Sequence, residues 1–180
     1  MRVTINPRGI LQIDDARIMF KNFSGAEGPY NREGERSFSL VIAGGILDDG
    51  RGPAREVTAE EMAQALMNET NRYGVGWNIK IKPAREEGEA PFMRLPVKIS
   101  TKNRMPAIYV NSVGKVRRLD EDTMGIIDDI AIRNVSLDIR PYDGEVRGEA
   151  FRSAYLDSIE VIQEIDRFTA RYAEEEYPEE

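Results

Sequence analysis

The chain has 180 residues, a formal net charge of −7, 41% hydrophobic residues and 32% charged residues, which suits one globular domain with a well-solvated surface. It contains no cysteine and no histidine, which excludes a disulfide framework, a thiolate metal site and the commonest proton shuttle at neutral pH. The sequence begins without the apolar run of a signal peptide, and no stretch is long enough to span a bilayer. We therefore expect a cytoplasmic protein with no membrane partner.

Charge is unevenly distributed along the chain. Residues 1–71 have a net charge of −3, and residues 119–180 have a net charge of −12. Residues 72–118 hold 11 basic and only 3 acidic residues, for a net charge of +8. A whole-chain charge averages away such segregation. The basic middle segment therefore favours a polyanionic partner despite the acidic total.

Strand patterns dominate the N-terminal part of the chain. Short apolar or alternating runs predict strands at residues 3–5, 10–13, 16–20 and 36–42. Alternation in the third run places Ala16, Ile18 and Phe20 on one face. The glycine-rich stretch 43–56 is predicted to be a loop.

One helix is predicted over about residues 58–73. Thr58 and Glu61 form the pattern of a capping box, and Gly74 is a suitable stop. Met62, Ala65 and Leu66 give a single apolar stripe, which we interpret as core packing.

The C-terminal half returns to strand patterns. Strands are predicted at residues 77–82, 95–100, 107–110, 114–119, 130–142 and 154–163. A last helix is predicted to end near Ala173, and residues 174–180 are predicted to form a disordered acidic tail. Short strands around one helix are typical of a small β-barrel or a β-sandwich, and we predict that residues 1–173 form a single, mainly β domain of the barrel type.

Alternation in the basic segment predicts polar strand faces that carry cations. In the strand at 77–82, Lys80 and Lys82 share a face opposite Trp77, which we assign to the core. Cations along phosphates and aromatic rings against unpaired bases are what a single-stranded nucleic acid requires. The alternative is an ordinary solvated strand surface. The residues predicted to bind the strand here are Lys80, Lys82, Arg94, Lys98, Lys102, Arg104, Lys115, Arg117 and Arg118, with Tyr109 as a stacking ring.

Residues 19–42 place two aromatic rings in a turn-rich loop. Phe23 and Tyr30 are predicted to stack on bases, as a mobile lip beside the basic strands. Lys21, Arg32 and Arg36 are predicted to lie at the edge of the groove. Three glutamates offset these cations, so an ordinary hairpin stays an alternative interpretation.

Carboxylate pairs raise the question of metal-dependent cleavage. The candidates are Asp14-Asp15, Asp120-Glu121-Asp122 and Asp128-Asp129. Two-metal catalysis needs carboxylates that converge from different elements, whereas neighbours on a strand point to opposite faces. No phosphate-binding loop, zinc-protease or nucleophile-elbow spacing occurs. We therefore expect no enzyme, no metal and no cofactor.

The chain resembles the single-stranded DNA-binding proteins of bacteriophages and prophages. The resemblance is carried by five segments in this order: ARIMFKNFSG, YNREGERSFSLVI, GWNIKIKP, IDDIAIRNVSLDIRPYD and RSAYLDSIEVIQEIDRF. The resemblance implies an OB-type barrel that coats exposed strands without sequence specificity during replication or recombination. It also implies an acidic tail that modulates binding or recruits replication and recombination proteins. The tail residues concerned are Glu174, Glu175, Glu176, Tyr177, Glu179 and Glu180.

Three questions stay open at this point. Many such binders end in an apolar residue, whereas here only Tyr177 could serve that purpose. A phage structural or protein-interaction component with no affinity for nucleic acid is the alternative function. The pattern does not fix the oligomeric state, so a homo-oligomer is also compatible with it.

Overall fold

The computed structural model describes residues 1–168 and residue 171. The described part holds one α-helix, α1 (Ala59–Met67), and a short 3-10 helix at Met124–Asp128. The strands are β1 (Arg2–Ile5), β2 (Leu11–Ala16), β3 (Ile18–Asn22), β4 (Arg36–Val41), β5 (Gly45–Asp48), β6 (Arg55–Val57), β7 (Lys80–Lys82), β8 (Phe92–Ile99), β9 (Ala107–Ser112), β10 (Lys115–Leu119), β11 (Ile132–Val146) and β12 (Glu149–Gln163). The predicted C-terminal helix lies partly, and the acidic tail wholly, outside these residues.

All twelve strands belong to one sheet built around β12. One edge of β12 pairs with β11 in a long antiparallel hairpin. The other edge pairs in parallel first with β8, at Ala154 and Tyr155, and then with β9, from Ser158 to Ile162. Two further strands, β7 and β10, pair with β8 and β9.

The mainly β class is confirmed. The sheet is open, however, and does not form the predicted barrel. Its main path runs β3-β4-β8-β12-β11-β2-β1-β5-β6, and the two end strands do not pair with each other. Residues 43–56, predicted to be a loop, contain β5 and β6, which extend the sheet beyond β1. Glycine at position 45 hid the first of these strands. Only glycine fits there, because a Cβ would overlap the Met1 carbonyl.

The core lies on one face of this sheet and is closed by α1. Strand alternation works as expected in β8, where Met93, Leu95, Val97 and Ile99 are buried. Trp77 is buried as well, as predicted. The residues of α1 that pack on this core are Met62, Ala63 and Leu66.

The helix begins as predicted but ends earlier. The Thr58 hydroxyl accepts a hydrogen bond from the Glu61 amide, and the Glu61 carboxylate accepts one from the Thr58 amide. The helix ends at Met67 rather than near Tyr73. The reason is the turn that follows, where the Asn71 side chain accepts hydrogen bonds from the backbone amides of residues 73 and 75.

A charged network fixes the outer part of the β11–β12 hairpin to this turn. Arg152 Nε donates to Asp143 Oδ1 at 2.9 Å, and its Nη1 donates to the Glu69 carbonyl at 2.8 Å. The guanidinium carbon lies 5.2 Å from the Trp77 ring centre. Burial raises the pKa of Asp143, but the hydrogen bonds from Arg152 and Asn71 outweigh it and lower that pKa overall. The hairpin is therefore held in place where it extends past the core.

Phe23 lies inside the core, which corrects its predicted role as a stacking residue on a mobile lip. Its side chain has no exposed surface and stacks on Phe38, with ring centres 5.5 Å apart and planes at 7°. The Asp128 carboxylate accepts hydrogen bonds from the backbone amides of Phe23 and Ser24, at 2.7 and 3.0 Å. This carboxylate, considered above as a metal ligand, anchors the start of the loop. Tyr30, at the loop tip, is fully exposed.

We expect Phe23→Ala to lower the free energy of unfolding by about 3–5 kcal/mol, because it removes a fully buried ring and leaves a cavity. Urea denaturation followed by circular dichroism measures the effect. Tyr30→Ala is the matched control, since it removes an exposed ring from the same loop and should leave the midpoint unchanged. Equal midpoints for Phe23→Ala and the unmodified chain would contradict the buried position.

Candidate nucleic-acid interface

The face of the sheet that turns away from the core carries a row of aligned side chains from four neighbouring strands. Ser37 of β4 pairs with Lys98 of β8, Lys98 with Tyr155 of β12, and Tyr155 with Arg140 of β11. Alternation places all four outward, because their neighbours along the strands point into the core. Residues far apart in sequence thus form one continuous row.

Tyr155 lies at the centre of this row, between two cations. Lys98 Nζ is 5.9 Å and the Arg140 guanidinium carbon 5.1 Å from the ring centre, and they approach from opposite neighbouring strands. Tyr142 meets the Tyr155 ring edge-on at 5.8 Å, and Phe151 lies 6.0 Å from Tyr142. Tyr142 is 55% exposed. We call these five residues the basic aromatic face.

A surface pocket of about 390 Å³ lies at the β3–β8 side of this face. It contains three of the predicted cations, Lys80, Lys82 and Arg94. Its other lining residues are Phe20, Ile81 and Phe92. Register explains the cluster, because Arg94 of β8 pairs with Val41 of β4 on one side and with Lys80 of β7 on the other.

The opposite half of the outer face is acidic. Asp14 of β2, Asp138 of β11 and Glu160 of β12 surround a second depression, which we call the acidic half. Burial raises the pKa of Asp138, and the neighbouring charges of Asp157 and Asp14 raise it further. A hydrogen bond from Ser158 lowers this pKa but does not reverse the overall rise. A phosphate chain is repelled from such a surface.

Asp157 marks the border between the two halves. A bulge in β12 interrupts the register with β11 between Asp138 and Ile139, and Asp157 is the unpaired residue. Its carboxylate lies 3.2 Å from the Arg104 guanidinium and 3.8 Å from that of Arg140. Arg104, predicted to hold phosphate, and Arg140 therefore share this carboxylate as an ion-pair partner.

Four of the predicted binding residues lie away from the basic aromatic face. Tyr109 borders the acidic half, where it pairs with Glu160. Arg118 pairs with Tyr109, its guanidinium carbon 5.9 Å from the ring. Lys115 and Arg117 lie on the same β9–β10 hairpin, which pairs with the distal half of β12. The structure thus splits the basic middle segment between the two halves of the outer face, beside consecutive parts of β12.

Two cations of the 19–36 region have structural partners. Lys21 Nζ donates to the carbonyls of Ile127 and Ile130, at 2.9 and 3.2 Å. Arg36 pairs with Glu121 at 3.5 Å, and only 13% of its side chain is exposed. Both therefore hold the β3–β4 hairpin against the 3-10 helix. Two others, Arg32 in this loop and Lys102 in the loop after β8, are exposed.

The sequence did not predict the aromatic residues of the basic aromatic face and its neighbouring pocket. Arg140, Tyr142 and Tyr155 lie in strands that were predicted, and alternation alone places them opposite the core residues. Their neighbours across the sheet could not be identified, because the pairing of β12 with β8 and β11 is long-range. Phe20 and Phe92 gave no such signal.

The described residues hold no group of three or more carboxylates that could bind a metal ion. Among residues 1–168, no helix is long and apolar enough to cross a membrane. Cations beside partly exposed rings are the features that proteins combine when they bind single-stranded nucleic acid.

Comparison with known proteins agrees with this class. The family model described as "Putative phage ssDNA-binding domain" matches residues 2–180. The chain belongs to this family of phage single-stranded DNA-binding proteins, as its sequence patterns suggested.

Solved structures of the single-stranded DNA-binding protein from bacteriophage Enc34 share the fold at 14% sequence identity. The C-terminally truncated form has a TM-score of 0.52, with 91% of both chains covered. The form in complex with single-stranded DNA has a TM-score of 0.53, with 92% of this chain and 93% of that chain covered. No match to the chain is found among curated proteins.

The raised pKa of Asp138 gives a pH-dependent prediction. Because the pKa of Asp138 is higher in the folded state than in the unfolded state, its ionised carboxylate destabilises the fold at neutral pH. This destabilisation is relieved when the carboxylate is protonated, as the pH falls through the folded-state pKa. Asp138→Asn should therefore raise the urea midpoint at pH 7. The gain should disappear below about pH 4, where the unfolded carboxyl is protonated too.

Glu33→Gln, on an exposed loop, is the control for loss of one negative charge. This control should leave the urea midpoint unchanged at pH 3 and at pH 7. A gain for Asp138→Asn of the same size at pH 3 and pH 7 would show that charge is not the cause.

Proposed function

We propose that the chain binds single-stranded DNA along the basic aromatic face, with the row Lys98–Tyr155–Arg140 as the centre of the interface. The observation that supports this most directly is the register of β8, β12 and β11, which sets a ring between two cations. Phosphates would follow Lys98 and Arg140. A base would stack on Tyr142, the most exposed ring of the face.

The chemistry of this face favours binding without sequence specificity. Aromatic rings accept any base, because every base has a flat π surface. Sequence readout instead needs side chains that match the hydrogen-bonding edges of particular bases. The residues of the basic aromatic face are cations and rings, so we expect little discrimination among sequences.

The acidic half limits where the strand can lie. Asp14, Asp138 and Glu160 occupy the outer face beyond the bulge at Asp157, so a phosphate chain would be confined to the β4–β8–β12–β11 side. On this proposal Tyr109 contributes little to binding, although its residue type suits stacking.

We expect Tyr142→Ala to weaken binding of labelled oligo-dT by about 1–3 kcal/mol, the range for loss of one stacked base. Fluorescence anisotropy at low salt measures the affinity. Tyr109→Ala is the matched control and should bind like the unmodified chain. Lys98→Ala should lower affinity and reduce the salt slope by about one, because one phosphate contact is lost.

Two results would separate the possible failures. Single-stranded DNA binding would be overturned altogether if oligo-dT bound neither to the full chain nor to the chain without residues 174–180. Binding that is lost in Tyr109→Ala but kept in Tyr142→Ala would move the interface to the other half of the sheet.

The biological setting proposed is coating of exposed strands during phage replication or recombination, in the cytoplasm of the host bacterium. Family membership supports the association with phage DNA. No reaction and no cofactor are needed for this function, since binding alone protects and extends an unpaired strand.

We also propose a role for the acidic C-terminal residues. Five of the seven residues 174–180 are glutamates. As a polyanion on the same chain they would compete with DNA for Lys98 and Arg140. Tyr177 supplies an apolar group for docking of replication or recombination proteins on the tail.

Deletion of residues 174–180 should tighten oligo-dT binding, and most strongly at low salt, where the competing charge is least screened. A variant with the five tail glutamates changed to glutamine keeps the tail length and should reproduce the effect. If both variants bind with unchanged affinity, competition by the tail is wrong. If only the deletion tightens binding, charge is not the reason.

A further inference from the structure

The pocket beside the basic aromatic face contains an aromatic residue in an unusual backbone conformation. Phe20 has a φ of 55°, in the left-handed region that bulky side chains rarely adopt. It is also 63% exposed. Simple alternation would have turned this ring inward with Ile18. The fold thus holds an apolar ring in solvent at a cost in conformational energy. Such backbone strain is typical of ligand clamps.

The strained conformation is fixed by contacts on both sides of Phe20. Before it, Met19 pairs with Ser39, and after it Asn22 pairs with Ser37, so the register shifts between them. Lys21 next to it is held by the two carbonyls at the end of the 3-10 helix. The ring therefore cannot return to the core face without breaking these contacts.

The pocket combines this ring with a second ring and an oriented guanidinium. Phe92 meets Phe20 edge-on, with centres 6.4 Å apart and planes at 87°. The Arg94 guanidinium carbon lies 5.6 Å from the Phe20 ring centre. Arg94 Nη1 donates at 2.8 Å to the hydroxyl of Ser39, which is buried. This hydrogen bond fixes the orientation of the guanidinium group, and the other N–H donors of Arg94 stay available to a ligand.

The chemistry of the lining selects a flat ring that carries a phosphate. An apolar peptide side chain would not use Arg94 or the exposed ammonium groups of Lys80 and Lys82. A free phosphate would not use the rings. The volume of about 390 Å³ falls in the range of small-molecule sites, about 300 Å³ and above. A nucleobase with its backbone phosphate uses every group in the pocket.

We propose that this pocket takes one nucleobase of the bound strand, stacked on Phe20 and contacted by Arg94, with Lys80 and Lys82 on the adjoining phosphates. The inference rests on the proposed function, because the strand must first lie on the sheet. It adds a second base position beyond the one on Tyr142. The strand would then run from β11 across β12 and along β8 to the pocket between β3 and β7.

Phe20→Asn tests the pocket without loss of the fold. Asparagine tolerates the left-handed conformation better than phenylalanine, so the unfolding midpoint should stay unchanged or rise. Affinity for oligo-dT should fall roughly five- to a hundredfold, as expected for loss of one stacked base. Affinity for an abasic strand of the same length should not change, because the phosphate contacts are intact.

The outcomes distinguish the pocket from the wider function. One outcome is that the unmodified chain binds oligo-dT, that Tyr142→Ala weakens this binding, and that Phe20→Asn leaves it unchanged. The pocket proposal is then overturned, while the DNA-binding function stands. Equal losses for oligo-dT and the abasic strand would also overturn it, since the pocket would then serve phosphates only. A lower unfolding midpoint with unchanged oligo-dT affinity would make Phe20 a structural residue.

Lys82→Ala is the complementary variant. It should weaken the binding of both strands equally and reduce the salt slope, because it removes a phosphate contact and leaves the ring wall in place. A loss confined to oligo-dT would assign Lys82 to the base instead of the phosphate, contrary to the proposal.

Discussion

The arrangement of the whole outer face of the sheet depends on the pairing of β12. One edge of this strand is fully occupied by β11, while the other is shared end to end by β8 and β9. This places the basic strand β8 beside Tyr155 and the hairpin of β9 and β10 beside Glu160. The outer face is therefore divided at the point where β12 changes partner, and the bulge at Asp157 lies at that point.

Charge segregation in space differs from charge segregation along the chain. The basic segment 72–118 supplies Lys98 and Arg94 to one half of the outer face, but it sends Arg118 to the other half. Arg140, which completes the row around Tyr155, comes from the acidic C-terminal segment. An acidic chain can thus present a basic surface because strand pairing selects single residues from each segment, whatever the net charge of the segment.

Alternation in the sequence predicted most strands, the core position of Trp77 and the outward direction of Lys80, Lys82, Arg94 and Lys98. Such local patterns fail where the backbone departs from regular geometry. The bulge in β3 reverses Phe20, and packing against Phe38 draws Phe23 into the core although its loop is polar. Strands β5 and β6 were not predicted because both are short and lie within a stretch rich in glycine and charged residues. Long-range register, which brings Tyr142 and Tyr155 together, has no local signal at all.

The cations of the chain fall into two groups that residue type cannot separate. Lys21, Arg36 and Arg152 are bound to carbonyls or carboxylates and hold loops and the long hairpin in place. Lys98, Lys80 and Lys82 are exposed beside aromatic rings. On the proposed function the first group supports the second, because a ring and a cation that are already fixed in position lose less entropy when a flexible strand binds. The internal ion pairs would then favour binding indirectly, by ordering the surface before the strand arrives.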